Sequence, residues 1–158
     1  MKLHEYKIRI IWTGNQGVGT KDYKAYERSH TISIEGKPEI LGSSDAAFRG
    51  DKNKHSPEEL FVSTLSTCHM LWYLHLCAVN NVVVTDYTDN AAGVMEEVAD
   101  GSGRFTKVIL KPEVIVLEKH MVEKANALHA EAHRMCFIAN SVNFPVSHEP
   151  VAFAVQTS

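Results

Sequence analysis

The chain has 158 residues, 44% apolar and 22% charged, with 16 Lys and Arg against 19 Asp and Glu for a formal charge of -3. That is ordinary composition for a chain long enough to bury a core, and without a Lys/Arg cluster it gives no reason to expect nucleic acid. The N-terminal MKLHEYKIRIIW lacks a signal peptide's apolar region and cleavage site, and no apolar run approaches the ~20 residues that cross a bilayer. Three Cys, an odd number, argue against a disulfide framework. The expected compartment is the cytoplasm, where a Cys pair that does bond is more often catalytic than structural.

Tyr6 to Trp12 (YKIRIIW) reads as a strand and Thr13 to Thr20 (TGNQGVGT) as a Gly-rich turn. The turn lacks the G-K-[ST] ending and G-x-G-x-x-G spacing of a phosphate loop, so no phosphate role is assigned to it. His30 to Ile34 (HTISI) alternates polar and apolar residues, a half-buried strand expected to join the first in a hairpin or short meander. Gly36-Lys37-Pro38 turns the chain, and Glu39 to Asp51, which contains Arg49, has the Gly, Ser, Asp and Lys density of a loop.

Ser56 to Asn80 (SPEELFVSTLSTCHMLWYLHLCAVN) is the stretch around which the chain is organised. Ser56 and Glu59 have the spacing of a capping box, and Pro57 stands at the first helical position. Roughly twenty residues then run without Gly or Pro to Asn80-Asn81, a left-handed stop, giving a helix about 35 Å long. Leu60, Phe61, Leu65, Met70, Leu71, Trp72, Leu74 and Leu76 leave little of it polar, so it is expected to be covered on most sides, in a core or between subunits.

Val82 to Tyr87 (VVVTDY) is a strand by β-branched content, Asn90 to Glu97 continues the sheet, and Asp100-Gly101-Ser102-Gly103 is a turn. Arg104 to Leu110 and Glu113 to Leu117 are further strands separated at Pro112. Met121 to Met135 reads as a second helix, with Met121, Ala125, Leu128, Ala132 and Met135 on one face, and Val151 to Val155 as a closing strand. The order is that of an α+β chain without repeat or linker, hence a single domain over 1–158.

Two thiols stand out by position, Cys68 midway along the first helix and Cys136 at the end of the second. Cys77, nine residues beyond Cys68, points to the opposite side of the helix and is read as packing. A nucleophilic Cys68 needs its thiolate favoured by a nearby cation, because burial alone opposes ionisation. Arg is preferred, since it stays charged when desolvated and forks onto a carboxylate. Arg49 and Arg28 precede the helix, and Glu58 and Glu59 open it, where they also complement the helix dipole. The main rival is zinc: His129, His133 and Cys136 lie at i, i+4 and i+7, with scattered surface His as the plainer explanation. A Cys68-His69 hydrolase pair is excluded, because neighbouring helix residues diverge by ~100°.

SPEELFVSTLSTCHM (Ser56 to Met70) and AEAHRMCFIANSV (Ala130 to Val142) together resemble the OsmC/Ohr family of cysteine-based hydroperoxide reductases, over nearly the whole chain. The first matches the family's Pro-Glu-x-Leu helix start with a Cys ten residues after the Glu, the second its Ala-His-x-x-Cys. The resemblance implies antiparallel sheets with two main helices, the long one buried at an intertwined dimer interface. It places Cys68 on the peroxidatic position, Cys136 on the resolving one, and Glu58 on the carboxylate that pairs with an active-site Arg. Arg49 fits the branch whose Arg lies about ten residues before that Glu, and Arg28 the branch with its Arg near the first hairpin; Arg49 is favoured. One departure is Phe137, where the family has Pro after the second Cys.

Glu58 and Cys68 are ten residues apart on one helix, about 15 Å along its axis. A Glu58 that positions an Arg at Cys68 therefore points to a two-fold homodimer with composite sites. The implied activity is reduction of organic hydroperoxides, and hydrogen peroxide less well, through a Cys68 sulfenic acid resolved by Cys136. An external thiol or a dithiol such as dihydrolipoamide closes the cycle, with no metal or organic cofactor and no nucleic acid or membrane as partner. A non-catalytic protein holding an apolar ligand on the same scaffold is the alternative of another class.

Overall fold

In the computed structural model, which describes residues 2–155, the chain divides into two units, Met1–Phe61 and Val62–Ser158. The first carries an antiparallel meander of β1 (Arg9–Trp12), β2 (His30–Ser33) and β3 (Ile40–Gly42), with Trp12 opposite His30 and His30 opposite Gly42. The first strand is shorter than YKIRIIW predicts, because its ladder extends only from Arg9, opposite Ser33, to Trp12. β3 lies in the stretch read as loop; three residues are too few to show a period. Gly42 is needed there, since a Cβ would stand 2.2 Å from Nε2 of His30, whose ring lies across it.

The helix α1 (Pro57–Val79) begins as the sequence predicts. The Ser56 amide donates to Glu59 Oε2 at 2.9 Å and the Glu59 amide to Ser56 Oγ at 3.2 Å, a reciprocal capping box. At the other end Asn81 takes φ 58°, and the Val82 amide reaches back to the Cys77 carbonyl at 2.9 Å, closing a Schellman turn.

The second unit is built on one long bent hairpin. β4 (Val84–Asp89) pairs with β7 (Pro112–Val116), and β5 (Ala92–Glu97) pairs with β6 (Gly103–Leu110). The register carries over without a slip: Asp89 faces Pro112, and three residues further Ala92 faces Ile109. The ladder breaks between them because Pro112 has no N–H and the Lys111 amide is drawn to Asp89 Oδ1 at 2.7 Å. Each half then gains one parallel strand, β8 (Val146–His148) beside β6 and β9 (Val151–Ala154) beside β7, giving two three-stranded sheets. β8 is the one strand of this unit that the sequence did not announce.

α2 (Val122–Met135) follows a 3-10 turn at Lys119–Met121, and the predicted face of Met121, Ala125, Leu128 and Ala132 is buried, with Met135 at its margin. The core joins these residues to Tyr73 and Cys77 of α1, Val114 and Val116 of β7, and Ala152 of β9. Within the chain, the buried residues of α1 form a single i, i+4 ridge, Leu65, His69, Tyr73 and Cys77, while Leu71 is 63% exposed. The α+β architecture with two main helices and mostly antiparallel pairing is as expected. Among the described residues no helix is long and apolar enough to cross a membrane.

Candidate active site

The second unit brings Cys68 and Cys136 together. Cys68 projects half-buried from the middle of α1, Cys136 is buried at the end of α2, and the two free thiols are near enough for Cys68 to act on the ionisation of Cys136. Burial first, and the Cys68 thiol second, push the Cys136 thiol up to about 11, against an opposing hydrogen bond from the Ala139 amide to its Sγ at 3.4 Å. Cys136 is therefore the neutral partner at neutral pH. No cation is among the groups acting on it. Its backbone, φ -66° and ψ 110°, already sits in the extended region that a following Pro enforces, so Phe137 keeps the local path without the ring constraint.

Leu71, Trp72 and His75 follow Cys68 at the helical spacings +3, +4 and +7 and line a pocket of about 290 Å³. Phe137, 67% exposed, meets Trp72 edge to face at 5.5 Å, and His75 meets the same indole at 5.9 Å. An apolar recess on the thiol-bearing face of α1 is suited to an alkyl or aryl group rather than to a charged one.

His129 corrects the reading of surface histidines: it is 0% exposed. His69, 1% exposed, is its partner, with Nε2 3.0 Å from His129 Nδ1. Their rings are 7° from parallel with centroids 5.3 Å apart, the arrangement of two imidazoles meeting edge to edge. Tyr73 stacks on the face of His129 at 3.8 Å, and His148 of β8 stands 5.6 Å from His69 and 5.4 Å from His133. The zinc set of His129, His133 and Cys136 does not assemble. Among the described residues no group of three metal-capable side chains converges. The signal for the buried pair was present, since His69 falls on the Leu65-Tyr73-Cys77 ridge and His129 between Ala125 and Ala132 on the apolar stripe.

Burial holds His69 down to about 4 and His129 to about 3, with charge on neighbouring His as the smaller cause. Both are neutral in the native state at neutral pH, whereas the unfolded chain takes up their protons near pH 6.5. Between about pH 6.5 and 4 the unfolded state binds more protons, so stability falls as pH falls. We expect His69 alone to remove on the order of 3 kcal/mol by pH 4. Urea midpoints between pH 7.5 and 4.5 check this, and a His69→Leu/His129→Leu variant should lose most of the slope.

The remaining predicted site residues belong to the first unit. Arg28 is committed: Nη1 donates to the Tyr26 carbonyl at 2.5 Å, Nη2 to the Tyr23 carbonyl at 2.7 Å, and the rings of Tyr23 and Tyr26 lie 4.3 and 4.2 Å from its guanidinium carbon. Arg49 follows a 3-10 turn (Ala46–Phe48) in the left-handed region, φ 64°, with its guanidinium carbon 5.9 Å from the Tyr23 ring. A left-handed Arg carries a backbone cost of about 1 kcal/mol, of the kind found where a side chain must be aimed. Glu59 is consumed by the cap, but Glu58 keeps a buried Oε2 with no hydrogen-bond partner among the described residues.

Comparison with known proteins returns the family described as OsmC-like protein, matched over residues 50–150. An OsmC-like protein of unknown function from Vibrio cholerae is 33% identical, with a TM-score of 0.85 over 94% of this chain and 100% of that one. An organic hydroperoxide resistance protein from Elizabethkingia anophelis is 17% identical, with a TM-score of 0.66 over 96% of this chain and 99% of that one. An organic hydroperoxide resistance protein from Legionella pneumophila is 16% identical, with a TM-score of 0.68 over 96% and 98%. At those identities the last two share the fold. No match was found among curated proteins.

Proposed function

Given that this chain belongs to the OsmC-like protein family, we propose that it is a thiol-dependent peroxidase that reduces organic hydroperoxides, and hydrogen peroxide less well, to alcohols. The Cys68 thiolate attacks the distal peroxide oxygen, the O–O bond breaks, and the alkoxide takes a proton and leaves as the alcohol. The Cys136 sulfur then attacks the Cys68 sulfenic acid, its proton leaves with the hydroxyl as water, and a disulfide results. An external thiol or dithiol, dihydrolipoamide among the candidates, returns both to thiols by exchange.

The observation that carries this reading is the proximity of the Cys68 and Cys136 thiols, from two different helices, beside an apolar recess and with Trp72, one turn on from Cys68, meeting Phe137 edge to face. The hydroperoxide resistance proteins that share the fold support the substrate class. Arg49 is assigned to the thiolate and Glu58 to Arg49, both supplied by the partner protomer of a homodimer, since Glu58 sits about 15 Å up the helix from its own Cys68. Three features support the dimer: the unpaired buried Glu58 oxygen, the exposed Leu71, and a β1 whose Ile10 and Trp12 are exposed. A short strand with bare apolar side chains is stable only when something covers it.

One equivalent of cumene hydroperoxide tests the proposal by intact mass. The expected product has lost two hydrogens, with Cys68 and Cys136 joined on peptide mapping. A stable gain of one oxygen means that Cys136 does not resolve. An unchanged mass, with peroxide consumption no faster than that of Cys68→Ser, replaces the enzyme by a protein that only holds an apolar ligand.

A further inference from the structure

Beside the apolar core they share, the two helices that bear the thiols meet at two further places. On α1, Cys68 and Trp72 form one i, i+4 ridge and His69 and Tyr73 the adjacent one. On α2, His129 takes the second ridge, bonding His69 at 3.0 Å and stacking on Tyr73 at 3.8 Å. Seven residues later, about two turns and ~10 Å along the same face, Cys136 and Phe137 take the first ridge, at Cys68 and Trp72. α2 therefore crosses from one ridge of α1 to the next, with an imidazole pair at one end of the crossing and the thiols at the other.

We infer that the His69–His129 pair is a positioning device, fixing where α2 crosses α1 so that Cys136 stays within reach of Cys68. It rests on the reading of the two thiols as a working pair. Apolar contacts would bury as well, but they are non-directional and let helices slide. A hydrogen bond between two nearly coplanar rings sets both separation and twist. The pair is expensive as packing, because His69 Nδ1 and His129 Nε2 are left buried with no partner among the described residues. Two apolar residues of like size would avoid that cost, so what the imidazoles supply is geometry. Tyr73 holds the face of His129, and His148 of β8 and His133 of α2 stand beside the pair, so the junction is walled by rings that limit its swing.

Equilibrium against glutathione redox buffers, which uses no peroxide, gives the effective concentration of Cys136 at Cys68. We expect it to fall about tenfold or more in His69→Leu/His129→Leu. His69→Gln, whose amide stands where Nε2 stood, and His129→Asn, whose amide replaces Nδ1, should each return to within about threefold of the parent. His69→Asn, polar but too short to reach His129, should behave like the Leu variant, and it carries the test if the Leu variant does not fold. An unchanged effective concentration in His69→Asn, or Gln and Asn substitutions as damaging as Leu, overturns the inference. With peroxide, sulfenate formation should change less than about threefold while its conversion to disulfide slows about tenfold. If the parent protein consumes no peroxide, the peroxidase reading fails while the glutathione result still decides this one.

Discussion

Cys68→Ser lowers peroxide consumption by about 10³-fold or more, because an alcohol has no accessible anion at neutral pH to open the O–O bond. Cys136→Ser does something different. The first step remains, since Cys136 is the neutral, buried member of the pair, and a Cys68 sulfenic acid accumulates in place of a disulfide. Single-turnover mixing with cumene hydroperoxide and a sulfenate-trapping dione separates the two variants. In Cys136→Ser the trapped adduct should account for most of the protein, while in Cys68→Ser none should form. A Cys68→Ser protein that still consumes peroxide at the parent rate would place the chemistry elsewhere. Cys77 is the internal control: burial pushes its thiol up, against a smaller opposing effect of Tyr73, so Cys77→Ala should leave both steps in place.

The parts of this site that were legible beforehand are those written in local spacing. Ser56 and Glu59 fixed the start of α1, Asn81 its end, and the repeated apolar residues from Met121 to Ala132 the buried face of α2. The bend in the long hairpin was legible only in part. Pro112 announced a break, but not that the Lys111 amide would be captured by Asp89 and the register preserved across it. β3 and β8, three residues each, are held by partners far along the chain and have no pattern of their own.

His129 was misjudged for a different reason. A residue type that is usually exposed was read by its average behaviour and not by its place between Ala125 and Ala132 on the buried stripe of α2. The apolar girth of α1 was read as covered by a core or by a second subunit, and within the chain Leu71 stays exposed.

Sequence spacing left both arginines open, and their side chains are engaged differently within the first unit. Arg28 has both terminal nitrogens on carbonyls and both faces against tyrosines, so its guanidinium holds its own loop. Arg49→Ala is expected to slow sulfenate formation about 100-fold at neutral pH, the loss of one well-placed charge at a developing anion. Arg49→Lys should recover little of it, since a point charge cannot fork onto Glu58 and face a sulfur together. Arg28→Ala should instead lower the melting temperature and leave the rate within about fivefold of the parent. The reverse ranking would move the active-site assignment to Arg28. A mixed dimer then tests whose arginine serves which thiol. In a hybrid of Cys68→Ser and Arg49→Ala protomers, one composite site has both groups intact although each parent variant is inactive. Random co-assembly places such a hybrid in half of the dimers, so about a quarter of the parent activity should return. If each Cys68 were served by the arginine of its own chain, no activity would return at all, because every protomer in the mixture lacks one of the two.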